Sequence, residues 1–476
     1  MNEIVLENLS FSYAQNAKKN IIESMNLTVS AADITVITGV SGCGKSTLLF
    51  LAAGLYPQNA GVIKSGQLTV NGIKISDLPS AQRTKHIGLI FQNPDLQFCM
   101  DTVKNELIFC LENIQMPPEK MDKRIEEALE FCKIAHLKER KLVSLSGGEK
   151  QKAMLACVAA LRPKWILLDE PFANIDEESA KDILEKLRIL HKEYGVGILA
   201  VDHHLGLWED VASQLVVLDK DGTIIKQTKE LSVLDAKELG ICIKNSSYQM
   251  QVPKKAPVKL EPILKIRGLS VTKDNNKILN HLSTDFFKGR IHAMIGQSGS
   301  GKSTFFSALC GLQKYDGSIL IKDEDIRKNK KMHSKIGFIF QSPQDQFVAD
   351  TVFDEIAVGF RGEQNAEQKT EEILRSIKLW RYRAVSPYMI SQGQQRRLGV
   401  AALLAYPCEV LVCDEPTYAQ DAHNITAIMD CLQQQVVKRG VTLIFSTHDR
   451  QLAKDYADIV YELKEGTLHE KLKSSL

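Results

Sequence analysis

A chain of 476 residues, 44% hydrophobic and 25% charged, is globular in composition and, at roughly 150 residues per domain, long enough for two or three cores. Its formal charge of +2, from 60 Lys and Arg against 58 Asp and Glu, excludes a global field that would recruit nucleic acid, and no apolar run approaches the about eighteen residues of a membrane span. With no basic-then-apolar leader after Met1 and with its cysteines scattered singly, the chain is expected to be soluble and cytoplasmic, its thiols reduced and buried rather than binding metal.

In chain order, Ile34 to Thr38 reads as a short buried strand. It runs into Gly39-Val40-Ser41-Gly42-Cys43-Gly44-Lys45-Ser46-Thr47 and then an apolar helix. A strand, a G-x-x-x-x-G-K-S loop and a helix present consecutive backbone N–H groups to an anion, reinforced by the roughly half-unit positive charge at the helix N-terminus. The segment holds phosphates. Lys45 would reach the β/γ-phosphates, Ser46 would offer its hydroxyl to Mg²⁺, and the glycines let the backbone approach closely. A further apolar run, Ile87 to Phe91, ends at Gln92, whose amide could touch Mg²⁺ or an attacking water. Ser146-Gly147-Gly148-Glu149 has the form of a helix capping box. Its glycines and the following Lys150 and Lys152 also suit a helix start that a phosphate can approach. Trp165 to Leu168 ends in Asp169, placed to meet Mg²⁺, and Glu170, placed to polarise a water. Gly197 to Val201 is followed by His203, where an imidazole could hydrogen-bond a γ-phosphate; His204 has no counterpart later in the chain and is given no role.

The same signals then recur in the same order. Gly296-Gln297-Ser298-Gly299-Ser300-Gly301-Lys302-Ser303-Thr304 repeats the phosphate loop, Gln341 follows Ile336 to Phe340, and Ser391-Gln392-Gly393-Gln394 echoes the capping sequence. Asp414 and Glu415 end Val410 to Cys413, Ser303, Gln341 and Asp414 repeat the Mg²⁺ candidates, and His448 follows Thr442 to Ser446. Short β-rich runs alternating with helices give an α/β fold: two tandem P-loop NTPase domains, 1–244 and 263–476, joined by a proline-bearing linker at 245–262. Since each copy has its own phosphate loop, the serine-led anion site of one copy is best explained if it serves the nucleotide of the other. The two copies are then expected to pair head to tail as an intramolecular pseudo-dimer.

These residues resemble the ABC ATPases. The resemblance covers both halves: Walker A loops at 39–47 and 296–304, Q-loop Gln92 and Gln341, signatures led by Ser146 and Ser391, Walker B acids, and switch histidines His203 and His448. It implies that each domain carries a parallel-sheet core and a helical signature subdomain, that two Mg²⁺-ATP are bound, and that Glu170, Glu415, His203 and His448 serve hydrolysis. It also implies that Asp176 and Asp421 cross the pairing surface and that Tyr13 stacks on adenine. A narrower likeness is to the energy-coupling-factor ATPases, through Gln-x-Pro-x-x-Gln-Phe and Asp-Thr-Val-x-x-Glu in both halves (Gln92 to Glu106; Gln341 to Glu355). That resemblance implies uptake of a vitamin, metal ion or related solute, with a transmembrane coupling subunit and a substrate-binding membrane subunit as partners at the cytoplasmic face of the membrane. A fused ATPase of a sugar importer, or a non-transport relative acting on ribosome or DNA, is the competing implication. Two departures stand out: Lys273 replaces the Tyr13 ring and Gln392 replaces a signature glycine in copy two. The two sites are therefore expected to be unequal while both hydrolyse ATP.

Overall fold

The computed structural model describes residues 2–16, 19–40, 42–172, 175–203, 205–229, 260–273, 276–297, 299–329, 332, 334–390, 392–417 and 422–473. Ser41, His204, Ser298, Ser391, Asp421 and the linker over 245–259 lie outside the described residues. The chain divides into two compact units, Met1–Ser246 and Ser247–Leu476.

In the first unit β1 (Glu3–Ser12), β2 (Ile22–Ser30) and β4 (Val62–Val70) form an antiparallel sheet in the order β2-β1-β4. The second sheet runs β5-β6-β7-β3-β8-β9, from β3 (Ile34–Gly39), β5 (Ile87–Ile90), β6 (Trp165–Asp169), β7 (Gly197–Val201), β8 (Gln214–Leu218) and β9 (Ile224–Thr228). All its pairings are parallel except β8 with β9. The helices are α1 (Lys45–Ala52), α2 (Ser80–Arg83), α3 (Val103–Asn113), α4 (Pro118–Phe131), α5 (Gly147–Leu161) and α6 (Glu177–Tyr194).

The parallel strands are buried on both faces, so alternate residues enter different cores. Ile166, Leu168, Ile198 and Ala200 join the core shared with α3 to α6, whereas Trp165, Leu167, Leu199 and Val201 join the one under α1 and the antiparallel sheet.

The second unit repeats the plan. Its antiparallel sheet is β11-β10-β13-β14, from β10 (Pro262–Lys273), β11 (Asn276–Phe287), β13 (Asp316–Ile321) and β14 (Glu324–Asp325). Its mostly parallel sheet is β15-β16-β17-β12-β18-β19, from β12 (Ile291–Ile295), β15 (Ile336–Ile339), β16 (Val410–Cys413), β17 (Thr442–Ser446), β18 (Ile459–Lys464) and β19 (Thr467–Lys471). The helices here are α7 (Lys302–Leu309), α8 (Val352–Ala357), α9 (Ala366–Ser376), α10 (Gln392–Leu404), α11 (Ala422–Arg439) and α12 (Arg450–Tyr456). Pro262, read from sequence as the last linker residue, instead opens β10 opposite Phe287.

Among the described residues no helix is long and apolar enough to cross a membrane. Burial pushes the Cys132 and Cys310 thiols up to about 12, which keeps them protonated, whereas Cys99 is exposed.

The topology places β6 beside β7 and β7 beside β3, so Asp169, Val201 and Gly39 end neighbouring strands at one edge. Functional loops of such sheets gather at the carboxyl ends of the strands. The order depends on close packing at β7, where a Cβ added to Gly197 would lie 2.6 Å from a ring carbon of Trp165. Gly197→Ala is expected to destabilise the first unit by about 1–3 kcal/mol, read as a lower urea midpoint for the transition reported by Trp165 fluorescence.

Candidate functional site

Each phosphate loop is shaped by glycines that nothing else could replace. Gly44 and Gly301 precede their helices at left-handed φ of 98° and 102°, and a Cβ on Gly39 would sit 2.3 Å from the Leu218 carbonyl oxygen. Lys45 Nζ donates to the carbonyls of Gly39 and Val40, both at 2.9 Å; Lys302 Nζ does the same to Gly296 at 2.8 Å and Gln297 at 2.9 Å. Each ammonium thus ties its own loop into a ring.

Ser46 Oγ donates to Asp169 Oδ1 at 2.8 Å, joining the end of β6 to the first turn of α1. A hydroxyl and a carboxylate in contact form the hard-oxygen set that Mg²⁺ prefers, so the residues fit that ion. Burial pushes the Asp169 carboxyl up to about 6, against the Ser46 hydrogen bond and the Lys45 charge, which pull it down.

Glu170 has a left-handed φ of 45°, as does Glu415, a conformation that costs a non-glycine residue of order 1 kcal/mol. Both carboxylate oxygens of Glu170 are engaged. Gln92 Nε2 donates to Oε2 at 2.7 Å and His203 Nε2 to Oε1 at 2.8 Å. Next to His203, the buried Asp202 accepts from Trp208 Nε1 at 2.9 Å, and Trp208 packs on Phe172 at 5.2 Å between ring centroids. The sequence read Gln92, Asp169, Glu170 and His203 as strand-end groups, and the structure joins Gln92, Glu170 and His203 in one hydrogen-bonded set while Asp169, the neighbour of Glu170 in the chain, is bonded to Ser46.

The second unit holds the same residues more loosely. Gln341 Nε2 is 3.5 Å from Glu415 Oε2 and His448 Nδ1 is 3.9 Å from it, and the His448 side chain is 37% exposed where that of His203 is 5%. Ser446, which replaces Val201, donates to Asp414 Oδ1 at 2.6 Å and accepts from the Glu415 N–H at 2.8 Å. Burial raises the Asp414 carboxyl despite bonds from Ser303 and Ser446. Burial also works to raise Glu415, yet His448 holds it below its ordinary value, and Glu415 in turn raises His448 against the partial desolvation of that imidazole.

The capping reading of Ser146 is realised in full. Its hydroxyl accepts from the Glu149 N–H, while Glu149 Oε2 accepts from the Ser146 N–H at 2.8 Å. A Cβ on Gly148 would lie 2.6 Å from Ser179 Oγ, so this glycine lets α5 approach the start of α6. The basic residues beyond are committed within their own unit: Lys150 to Asp95 at 2.7 Å, Lys152 to Asp182 at 2.7 Å, and Arg397 to Asn424. Arg396 donates to the Phe340 carbonyl at 3.3 Å. They are therefore not free cations for a phosphate. Asp176, expected at a pairing surface, caps α6 by accepting from the Ser179 N–H at 2.9 Å.

The sequence missed the brace around the Q-loops. Gln97 Oε1 accepts from the Phe91 N–H at 2.7 Å and its Nε2 donates to the Leu89 carbonyl at 2.9 Å; Gln346 accepts from the Phe340 N–H at 3.4 Å. Glu106 Oε2 accepts from the N–H groups of Cys99 and Met100 at 2.9 and 2.8 Å, and Glu355 from those of Val348 and Ala349, both at 2.9 Å. The repeated Gln and Glu letters were the signal. Where the first unit pairs Asp95 with Lys150, the second pairs Gln344 with Gln395 at 3.3 Å, an amide contact replacing an ion pair at matching positions.

Tyr13 stands beside the first loop, with its hydroxyl 2.7 Å from Thr47 Oγ1 and its ring half exposed.

The raised Asp169 carboxyl has a consequence for stability. A group whose folded value of about 6 lies above its ordinary 3.8 favours the protonated folded form, so its charge costs stability above pH 6, progressively less as pH falls toward 3.8, and nothing below it. Asp169→Asn is expected to raise the unfolding free energy at pH 7.5 by up to about 3 kcal/mol, with a smaller gain at pH 5, in urea titrations of the nucleotide-free chain, while ATP turnover falls.

The ABC transporter family matches residues 22–173 and 279–418. The putative HMP/thiamine import ATP-binding protein YkoD of Bacillus subtilis is 35% identical over 497 residues, covering 98% of this chain and 90% of that protein. A putative ABC transporter ATP-binding protein of Streptococcus pneumoniae is 28% identical over 511 residues, covering 98% of this chain and 90% of that one. A solved complex of the archaeal ribosomal stalk protein aP1 and the ribosome recycling factor aABCE1 is similar in fold, with a TM-score of 0.66 and 18% identity over 97% of this chain and 89% of that chain. With the family matched in both units around the two phosphate loops, the chain belongs to the ABC transporter family and carries two tandem ABC ATPase domains.

Proposed function

We propose that this chain is the ATP-hydrolysing energy-coupling subunit of an importer of the energy-coupling-factor type, drawing a small solute such as a vitamin, its precursor or a metal ion through separate membrane subunits. The observation that carries the hydrolytic part is the linked set Lys45, Ser46, Asp169 and Glu170, with Gln92 and His203 on the two oxygens of Glu170. The import part rests on the name of the Bacillus subtilis relative and on the Gln97–Glu106 brace recurring as Gln346–Glu355.

In this reading the loop N–H groups and Lys45 grip the β- and γ-phosphates, and Ser46 and Asp169 hold Mg²⁺, which when bound neutralises charge on the phosphate oxygens. Glu170 orients a water in line with the γ-phosphorus and takes its proton as the new P–O bond forms. The bond to the bridging oxygen breaks and its electron pair leaves with ADP. Gln92 and His203 each take one acceptor site of the Glu170 carboxylate and hold its plane, leaving a second lone pair on each oxygen for a water. In the proposed head-to-tail pairing the serine-led α5 and α10 each serve the nucleotide of the opposite unit.

Each Q-loop brace is flanked by exposed apolar side chains: Leu96, Met100 and Val143 in the first unit, Val348, Tyr388 and Met389 in the second. Exposed apolar clusters of this kind suit a partner surface, here a helix from the transmembrane coupling subunit. Expressed with the membrane proteins of its own genome, the chain should sediment with membranes. Leu96→Asp combined with Met389→Asp should release it at least tenfold more readily while leaving ATP turnover of the purified chain within about twofold. Sedimentation unchanged by both substitutions removes the docking assignment.

Glu170→Gln and Glu415→Gln tested singly are expected each to lower steady-state ATP turnover without either abolishing it, because both acids are retained in position. Complete loss from one and no loss from the other would replace two working sites by one.

A further inference from the structure

The two phosphate loops differ sharply in what stands beside them, and this difference, which rests on the nucleotide-binding reading above, bears on what each loop recognises. Around the first loop is a nest of rings. Phe11 and Tyr56 stack at 5.6 Å with 9° between planes, and Tyr13 stands edge-on to both, at 5.5 and 5.9 Å. Phe50, on α1, meets Tyr56 and Phe91 edge-on at 5.5 and 5.6 Å. The nest fixes the Tyr13 ring, and the hydroxyl bond to Thr47 pins it one residue beyond the Mg²⁺ candidate Ser46. A held, half-exposed ring at that place offers a flat face to a base whose phosphates lie on the loop.

The backbone of the second unit repeats the frame with four of the five rings replaced. Val271 pairs with Leu279 where Phe11 pairs with Ile22, and Gln313 N–H reaches the Ser307 carbonyl where Tyr56 N–H reaches that of Phe50. Val271, Lys273, Ser307 and Gln313 therefore stand for Phe11, Tyr13, Phe50 and Tyr56. Four of the five ring positions are lost together, with Phe340 alone keeping the place of Phe91, while the loop, Lys302, Ser303, Asp414 and Glu415 are kept. The exposed Lys273 brings a cation to the place of the ring.

We propose that the first loop recognises base and triphosphate together, whereas the second recognises the triphosphate alone and accepts nucleoside triphosphates irrespective of base. Stacking of a base on an aromatic side chain contributes on the order of 1–3 kcal/mol, corresponding to about 5- to 150-fold in affinity. A lysine contributes only to the phosphate side, equally for every nucleotide.

The test uses the full chain with one loop disabled at a time and isothermal titration with Mg²⁺ complexes of ATP, UTP and inorganic tripolyphosphate. In Lys302→Ala, which leaves the first loop, ATP should bind about 5- to 150-fold more tightly than tripolyphosphate, with UTP between them. In Lys45→Ala, which leaves the second, the three should agree within about threefold. Adding Tyr13→Lys to Lys302→Ala should erase the preference, and adding Lys273→Tyr to Lys45→Ala should begin to restore it. Equal discrimination by the two loops, or a preference untouched by Tyr13→Lys, overturns the proposal. Failure of the wild-type chain to bind any of the three probes overturns the phosphate-loop reading itself, a result the single-loop comparison cannot mimic.

Discussion

A buried carboxylate at a strand end is the constraint from which the rest of each unit follows. Asp169 is 7% exposed, and an ionised acid in such a place is costly unless a donor or cation faces it. Ser46 supplies the donor and Lys45 the nearby charge, and both come from the loop after β3, two strands away. The sheet must therefore hold β6, β7 and β3 in register, and the two cores on its faces must pack well enough to keep that register. Stability given up at this edge is recovered in the apolar alternation of the strands, where Ile166, Leu168, Leu167 and Trp165 are all but inaccessible.

Duplication allows that arrangement to be seen twice under different side-chain conditions. The phosphate loops are nearly superimposable in their hydrogen bonds, because a lysine folded onto two carbonyls leaves little freedom. The general-base region is not. Replacing Val201 by Ser446 introduces a hydroxyl that competes for the Walker B aspartate, and the imidazole of His448 is partly exposed while that of His203 is enclosed. Shared letters thus coexist with unequal geometry.

Much of the site was legible in the sequence because its chemistry depends on fixed local spacing: Lys45 beside Ser46, Asp169 beside Glu170, each repeated downstream. The parallel strands were legible as apolar runs. The antiparallel sheets were not, since bulges between Leu6 and Leu9 and between Leu9 and Phe11 break the alternation of β1. Lys150 and Lys152 read as suiting a helix start that a phosphate approaches, but tertiary packing gives them the acidic partners Asp95 and Asp182 that no local pattern reveals. Glu106 stood out only as the last letter of a repeated motif; the fold shows that it gathers two backbone N–H groups behind the Q-loop. The difference between His203 and His448 was likewise invisible, because it lies in neighbours rather than in the residues themselves.

The exchange of the Asp95–Lys150 ion pair for the Gln344–Gln395 amide contact links the turn after each Q-loop to its serine-led helix by different forces. Attraction between full charges at a partly exposed site is screened by dissolved electrolyte, whereas a contact between neutral amides is nearly indifferent to it. Potassium accumulation during osmotic stress would thus loosen this one linkage in the first unit and spare its counterpart in the second, so that the coupling of the Q-loop turn to its serine-led helix follows the cell's salinity on one side alone.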